Sequence, residues 1–195
     1  MKRFFFTPLL FLGLSILFSS CEKDVVGGKS YLEGHYVLQK AEISCKTESG
    51  ETCSLVFSFE KKTPSVSING LSVSDKLAGT SLAGLGEQVD EVFYKHYSGV
   101  LVHDYEYIFE KNGNASIKTD YSDKEFYSEK YKVDDGIIYF SGSGFDVPAF
   151  IIQSKTGTSL VLECTPAIIS LISFGAYLSL GFSEIEKSVG YYIKK

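Results

Sequence analysis

Cysteines, histidines and a large set of carboxylates are the residues whose types could do chemistry in this chain. Cys45 and Cys53 bracket the segment CKTESGETC. If Glu48-Ser49-Gly50 makes a three-residue turn, Cys45 faces Cys53, Ile43 faces Leu55 and Ala41 faces Phe57, which sets apolar partners on one face as cross-strand pairing demands. A disulfide between Cys45 and Cys53 is therefore expected, stabilising by roughly 2.5 kcal/mol through loop closure. Cys164 is left as a small buried hydrophobe. His35, His96 and His103 have no zinc-ligand spacing with the cysteines. The carboxylates include Asp104, Glu106, Glu110, Glu125, Glu129, Asp134 and Asp135. Paired carboxylates can hydrolyse glycosides, but these sit opposite aromatic residues or in turns, where solvated faces are the simpler expectation. Gly142-Ser143-Gly144 falls short of a nucleophile elbow. Gly79, Gly84 and Gly86 do not make a phosphate loop. No catalytic residue, metal site or cofactor is expected.

The elements that would hold these residues are mostly strands. Gly34–Ser44 is a long extended run, and Cys53–Glu60 returns against it. Tyr36 and Leu38 have the opposite parity to Ala41 and Ile43, so a bulge or bend must lie between them. Val66 and Ile68 alternate with serines before the turn dipeptide Asn69-Gly70. Leu82, Leu85, Val89, Val92, Phe93 and Tyr97 recur at helical spacing and predict a helix near Ser81–Tyr97. Strands resume at His103, with Tyr105, Tyr107 and Phe109 on one face. Further strands are expected over Ala115–Asp120, Glu125–Val133, Ile137–Ser141, Ala149–Ser154 and Ser159–Cys164, separated by Asn-Gly, Asp-Gly and similar turns. Thr165-Pro166 reads as a helix cap and first-turn proline. Cys164–Ser183 carries no charge, yet its serines, glycines and proline make it a poor membrane span. Ser170, Ser173, Tyr177, Gly181 and Glu184 form a polar stripe, so an amphipathic helix on the domain is expected. Val189–Ile193 is the expected last strand.

Of the 195 residues, 44% are apolar and 22% charged, as in a globular protein with a real core. Met1-Lys2-Arg3 precedes about 15 apolar or small residues ending at Phe18, the layout of an export signal. Phe18-Ser19-Ser20-Cys21 resembles the lipobox of bacterial lipoproteins, whose cysteine is acylated and becomes the mature N-terminus. That resemblance implies a signal peptide over 1–20, lipidation at Cys21, a flexible tether over 21–30 and attachment to the membrane through the N-terminal lipid. It also implies a cell-envelope location. Glu22 at the second mature position fits outer-membrane sorting, with the periplasmic and surface faces left open. Export also places the cysteines where disulfides persist. Loss of Lys2 and Arg3 from the 19 basic residues leaves 17 against 24 acidic ones, a net charge of −7 with no arginine. Nucleic acid is excluded as a partner, because a negative chain repels phosphate and lacks the bidentate fork that reads base edges.

The segment Leu32-Glu33-Gly34-His35-Tyr36-Val37-Leu38 resembles the opening Gly-x-Trp of lipocalins, with Tyr36 in the tryptophan place. YEYIFEKNGNASIK, KYKVDDGIIYFS and SLVLEC resemble the hairpins of lipocalin-like lipoproteins of the Bacteroidales type, and the closing GYYIKK resembles the strand that meets the first. Tryptophan is absent, and helical insertions interrupt the meander. The family implies a mainly β fold over 31–195: an antiparallel lipocalin-like β-barrel of about 8–10 strands with two helical insertions, at about 74–97 and 166–186. It also implies a non-enzymatic binding protein for a small apolar ligand or an envelope protein partner. Tyr105, Tyr107, Phe109, Tyr127, Tyr131 and Tyr139 are then the candidate ligand-binding residues. Two alternatives stay open: an accessory subunit with a filled core acting through an exposed patch or the C-terminal helix, and an unrecognised glycan-acting enzyme.

Overall fold

Along β1 (Gly34–Thr47) the buried positions are Tyr36, Leu38, Ala41, Ile43 and Cys45. The alternation slips by one residue near Gln39, and the pairing of β1 with the last strand shifts register at the same point, between Leu38 and Lys40. An extra residue in one strand is a β-bulge, which bends the strand and keeps the apolar side chains of both halves inward. This is the irregularity that the parity of the sequence requires.

The computed structural model describes residues 31–59, 65–72, 92, 94–98, 101–102, 104–119, 125–142, 144–180 and 182–195. The signal over 1–20, the tether over 21–30 and the lipid site at Cys21 lie outside the described residues. After β1 come β2 (Thr52–Ser58), β3 (Ser65–Ile68), β4 (Leu71–Ser72), β5 (Glu106–Phe109), β6 (Asn114–Lys118) and β7 (Tyr127–Asp134). Then follow β8 (Ile137–Gly142), β9 (Phe145–Lys155), β10 (Ser159–Cys164), helix α1 (Pro166–Leu180) and β11 (Phe182–Lys194).

β5 to β11 pair in sequence order, and β1 joins β5 to β11, so eight antiparallel strands close into a barrel. This is the closed architecture that the lipocalin resemblance implies. β2, β3 and β4 form a side sheet. They pair outward from the second half of β1, which meets β5 at Gly34–Val37 and β2 at Lys40–Lys46. The exchange of neighbours happens at the bulge: Leu38 N donates to Tyr105 O, and Phe59 N donates to Gln39 O. Paired positive φ values at Asn69 and Gly70, and again at Asp135 and Gly136, make the tight hairpin turns their dipeptides predict.

Strand β1 starts on a glycine at the seam with β11. Gly34 has φ +146°, and an added Cβ would run into the Lys194 side chain from β11. The glycine of the Gly-x-Tyr motif is thus needed for its backbone conformation, whereas the tip of the flexible Lys194 side chain could move aside. Glu106 clamps the same seam. Its carboxylate binds His35 Nε2 at 2.9 Å, Lys118 Nζ at 3.4 Å and Lys195 Nζ at 3.5 Å. Burial raises the Glu106 pKa, but the His35 bond and the two lysines outweigh it and hold the carboxyl below its ordinary value. Glu106 is therefore not the solvated side chain expected from strand parity.

Three sequence expectations need correction. The register of β1 and β2 pairs Cys45 with Cys53, Ile43 with Leu55 and Ala41 with Phe57, as expected. No disulfide joins the cysteines, however. Both are free thiols, 4.1 Å apart. Thr47 N donates to Glu51 O, and Phe59 N to Gln39 O, so the odd-numbered positions of β1 here are the hydrogen-bonded pairs. Cβ atoms at such pairs stand up to about 5.5 Å apart, beyond the ~3.8 Å a disulfide prefers. The Cys45 thiol donates to the Cys53 carbonyl instead, at 3.4 Å. Burial, with Cys53 beside it, pushes the Cys45 thiol up to about 12.

Second, the final strand begins at Phe182, well before Val189, and the helix ends at Leu180. Glu184 and Glu186 both pair with Lys46 on β1, and Phe182 and Ile185 are buried. Residues read as a helix tail are in fact a strand side held by β1. Third, most of the insertion expected at 74–97 lies outside the described residues, and its described end at 94–98 is helical. Val92, expected on the apolar face, is 65% exposed, while Tyr94 is 6% exposed. The Tyr94 ring packs edge-on against Phe57 and Phe59, so the side sheet sets which face of the helix is buried.

Candidate functional site

The barrel interior is built of rings. Tyr36 meets Phe109 edge-on at 6.1 Å, Tyr107 stacks on Phe109 at 5.2 Å, and Phe109 meets Tyr131 at 4.9 Å. Tyr107 also meets Phe140, Phe150 and Tyr192. Each such pair adds about 0.5–1.5 kcal/mol beyond its buried area, so this part of the barrel is solid.

Toward the end covered by α1 the rings give way to smaller residues. Val147 and Ala149 of β9, with Ile168, Leu171 and Ile172 of α1, surround a cavity of about 390 Å³. Phe140 and Phe150 separate it from the ring stack below, and Tyr127, 44% exposed, stands at its mouth. That volume lies within the range of small-molecule sites, about 300–1,000 Å³. A second cavity of about 50 Å³ shares Asp104, Phe150, Ile168 and Ile172 with the first and reaches Cys164, Ser188 and Tyr192. Burial pushes the Cys164 thiol up to about 11.

Asp104 borders both cavities and is firmly held. The Tyr107 hydroxyl donates to Asp104 Oδ2 at 2.6 Å, and the Tyr192 hydroxyl donates to the Asp104 carbonyl at 2.9 Å. Burial, and then the Asp104 charge, raise both phenols well above their ordinary pKa, so they remain donors. Partial burial followed by Asp104 also raises Tyr127.

Of the six residues expected to line a ligand site, Tyr127 borders the larger cavity. Tyr105, Tyr107, Phe109 and Tyr131 are buried in the core. Tyr105 packs against Phe59 of the side-sheet region, and the other three belong to the ring stack. Tyr139 carries Lys132 Nζ 5.2 Å over its ring. Since Lys132 is exposed, that contact puts Tyr139 on the outer wall. Alternation placed Asp104 with Glu106 and Glu110, on the face opposite the tyrosines. β5 begins only at Glu106, so the strand period does not reach residue 104. No reading of the sequence singled out Val147 and Ala149, the small pair of β9 that leaves this space.

Helix α1 buries Ile172 and Ala176 and leaves Leu171 (70%), Phe174 (70%) and Tyr177 (57%) exposed. Of its expected polar stripe, Ser170 and Tyr177 are exposed, while Glu184 lies on β11. Ser173 Oγ instead accepts from Ile185 N at 3.2 Å and ties the helix to β11. Among the described residues no helix is long and apolar enough to cross a membrane. Nor does any group of His, Cys, Asp and Glu among them have the arrangement to hold a metal ion.

These features define a closed antiparallel barrel with a side sheet, a solid aromatic interior and a hollow end under a helix. Comparison of the chain with protein-family models, curated proteins and solved structures finds no match in any of the three.

Proposed function

We propose that this chain is a lipid-anchored protein of the cell envelope, of the lipocalin-like kind, that binds a small apolar molecule and performs no chemistry on it. The 390 Å³ cavity under α1 carries the reading. Its walls are aliphatic and aromatic, and one carboxylate and one phenol supply the polar contacts, the usual composition of a small-molecule site. The export layout and the resemblance of Phe18-Ser19-Ser20-Cys21 to a lipobox support the anchor, most consistently in the outer membrane. The Cys21→Ser variant is expected to take up no labelled palmitate, and continued labelling would contradict the anchor.

Native mass spectrometry of the protein purified from its own cells tests the carrier role. The expected result is a copurifying small molecule that Ala149→Phe, which fills the cavity, does not retain. A bare protein, or the same molecule held by Ala149→Phe, would contradict it. A second reading draws on the exposed Leu171, Phe174 and Tyr177 face, since contiguous apolar surface marks interaction sites. In that reading α1 docks an envelope protein, and Phe174→Glu releases the partner without changing the cavity's contents.

A further inference from the structure

We propose that the cavity selects an amphiphile with a cationic, hydrogen-bond-donating head, such as an alkylammonium, and rejects fatty carboxylates, with Asp104 as the specificity-determining residue. This deepens the carrier reading and rests on it. Asp104 is the charged residue among those described around the larger cavity, and every other one except Tyr127 is apolar. The Tyr107 hydroxyl donates to Asp104 Oδ2 at 2.6 Å, so the carboxyl already acts as an acceptor at this site. Tyr107 and Tyr192 grip the side chain and the backbone of residue 104 together, so the carboxylate is positioned before any ligand arrives.

A carboxylate accepts at several lone-pair sites and donates at none when ionised. An ammonium entering the cavity gains a charge-assisted bond to Asp104 while its chain lies against Phe140, Phe150 and Ile172. A fatty carboxylate would bring a second negative charge beside Asp104 in a mostly apolar site, where like charges repel and its own lost hydration is not replaced. Specificity here comes from repulsion of the wrong head as much as from attraction of the right one.

Calorimetric titration of the full-length protein with octylammonium, octanol and octanoate, at ~0.15 M salt to screen its net negative charge, separates the outcomes. Octylammonium is expected to bind at least about tenfold more tightly than octanoate, as one bond to a charged group implies, with octanol between them. Asp104→Asn keeps an acceptor for Tyr107 and is expected to bring the three affinities together. Octanoate binding as tightly as octylammonium would overturn the proposal from the native protein alone, even if the variant fails to fold. A preference that survives in Asp104→Asn or in Ala149→Phe would also overturn it, because the selectivity would then lie outside the cavity. If none of the three probes binds, the carrier reading itself falls, a result distinct from binding in the wrong order.

Discussion

The two ends of the barrel are made from the same hairpins and do opposite things. At the end where β1 begins, Tyr36, Phe109 and Tyr131 meet ring to ring, and β11 pairs with β1 beside them at Tyr36 and Lys194. At the other end Val147 and Ala149 fill too little space, α1 spans the gap, and a cavity of about 390 Å³ remains. The abundance of aromatic residues therefore marks where the barrel is solid. The hollow lies where aromatic residues run out, and a carboxylate holds its place there through two tyrosine hydroxyls. Small barrels are ordinarily filled by their own side chains, and in this one the filling stops partway.

Core truncations should break the symmetry between the ends most strongly. Phe109→Ala is expected to destabilise by about 3–5 kcal/mol, because a fully buried ring leaves a void among rigid neighbours. Val147→Ala, which only enlarges an existing cavity, should cost about 1 kcal/mol or less. Equal losses in chemical denaturation would mean that the ends are packed alike. Next comes the seam: Gly34→Val should cost about 1–3 kcal/mol from its positive φ, the tip of the Lys194 side chain being free to move aside. A neutral result in the same assay would show that the positive φ is not a constraint at this position.

A smaller, pH-dependent effect is expected at Glu106. Its pKa is held below the ordinary carboxylate value, so its contribution is present above that ordinary value and is lost as the pH falls through the lowered one. Glu106→Gln should be less stable than the native chain near neutral pH, and the difference should shrink in acid. Melting temperatures that differ by a constant amount at every pH would contradict the clamp. The smallest effect has the opposite sign. The Tyr36 hydroxyl is buried without a hydrogen-bond partner, so Tyr36→Phe should stabilise the packed end by about 1 kcal/mol. Any loss of stability would show that the hydroxyl has a partner after all.

Much of this frame was legible in the chain. The register of Cys45 with Cys53, the irregularity near Gln39, the Asn-Gly and Asp-Gly hairpins and the meeting of GYYIKK with the first strand all follow from local periodicity and turn chemistry. What periodicity reports is a face, and it does not report what covers that face. Nothing local shows that β1 exchanges β5 for β2 at its bulge, so the side sheet was not read. The early start of β11 depends on Lys46, a partner 138 positions from Glu184. A pair of facing cysteines reads as a disulfide until the hydrogen-bonding phase of the ladder is known. Asp104 was placed by a strand period that begins two residues after it. The cavity was hidden for a similar reason: a void belongs to the space between elements, and α1 had to be seen lying over Ala149 before it existed.

Methyl NMR during titration with octylammonium tests the central division most directly. The account predicts that Ala149, Val147, Ile168 and Ile172 shift as the cavity fills, while Ala115 and Ile117, buried in the core, stay where they are. Shifts of Ala115 and Ile117 that match or exceed those around Ala149 would contradict it, because the solid interior would then be where a ligand goes.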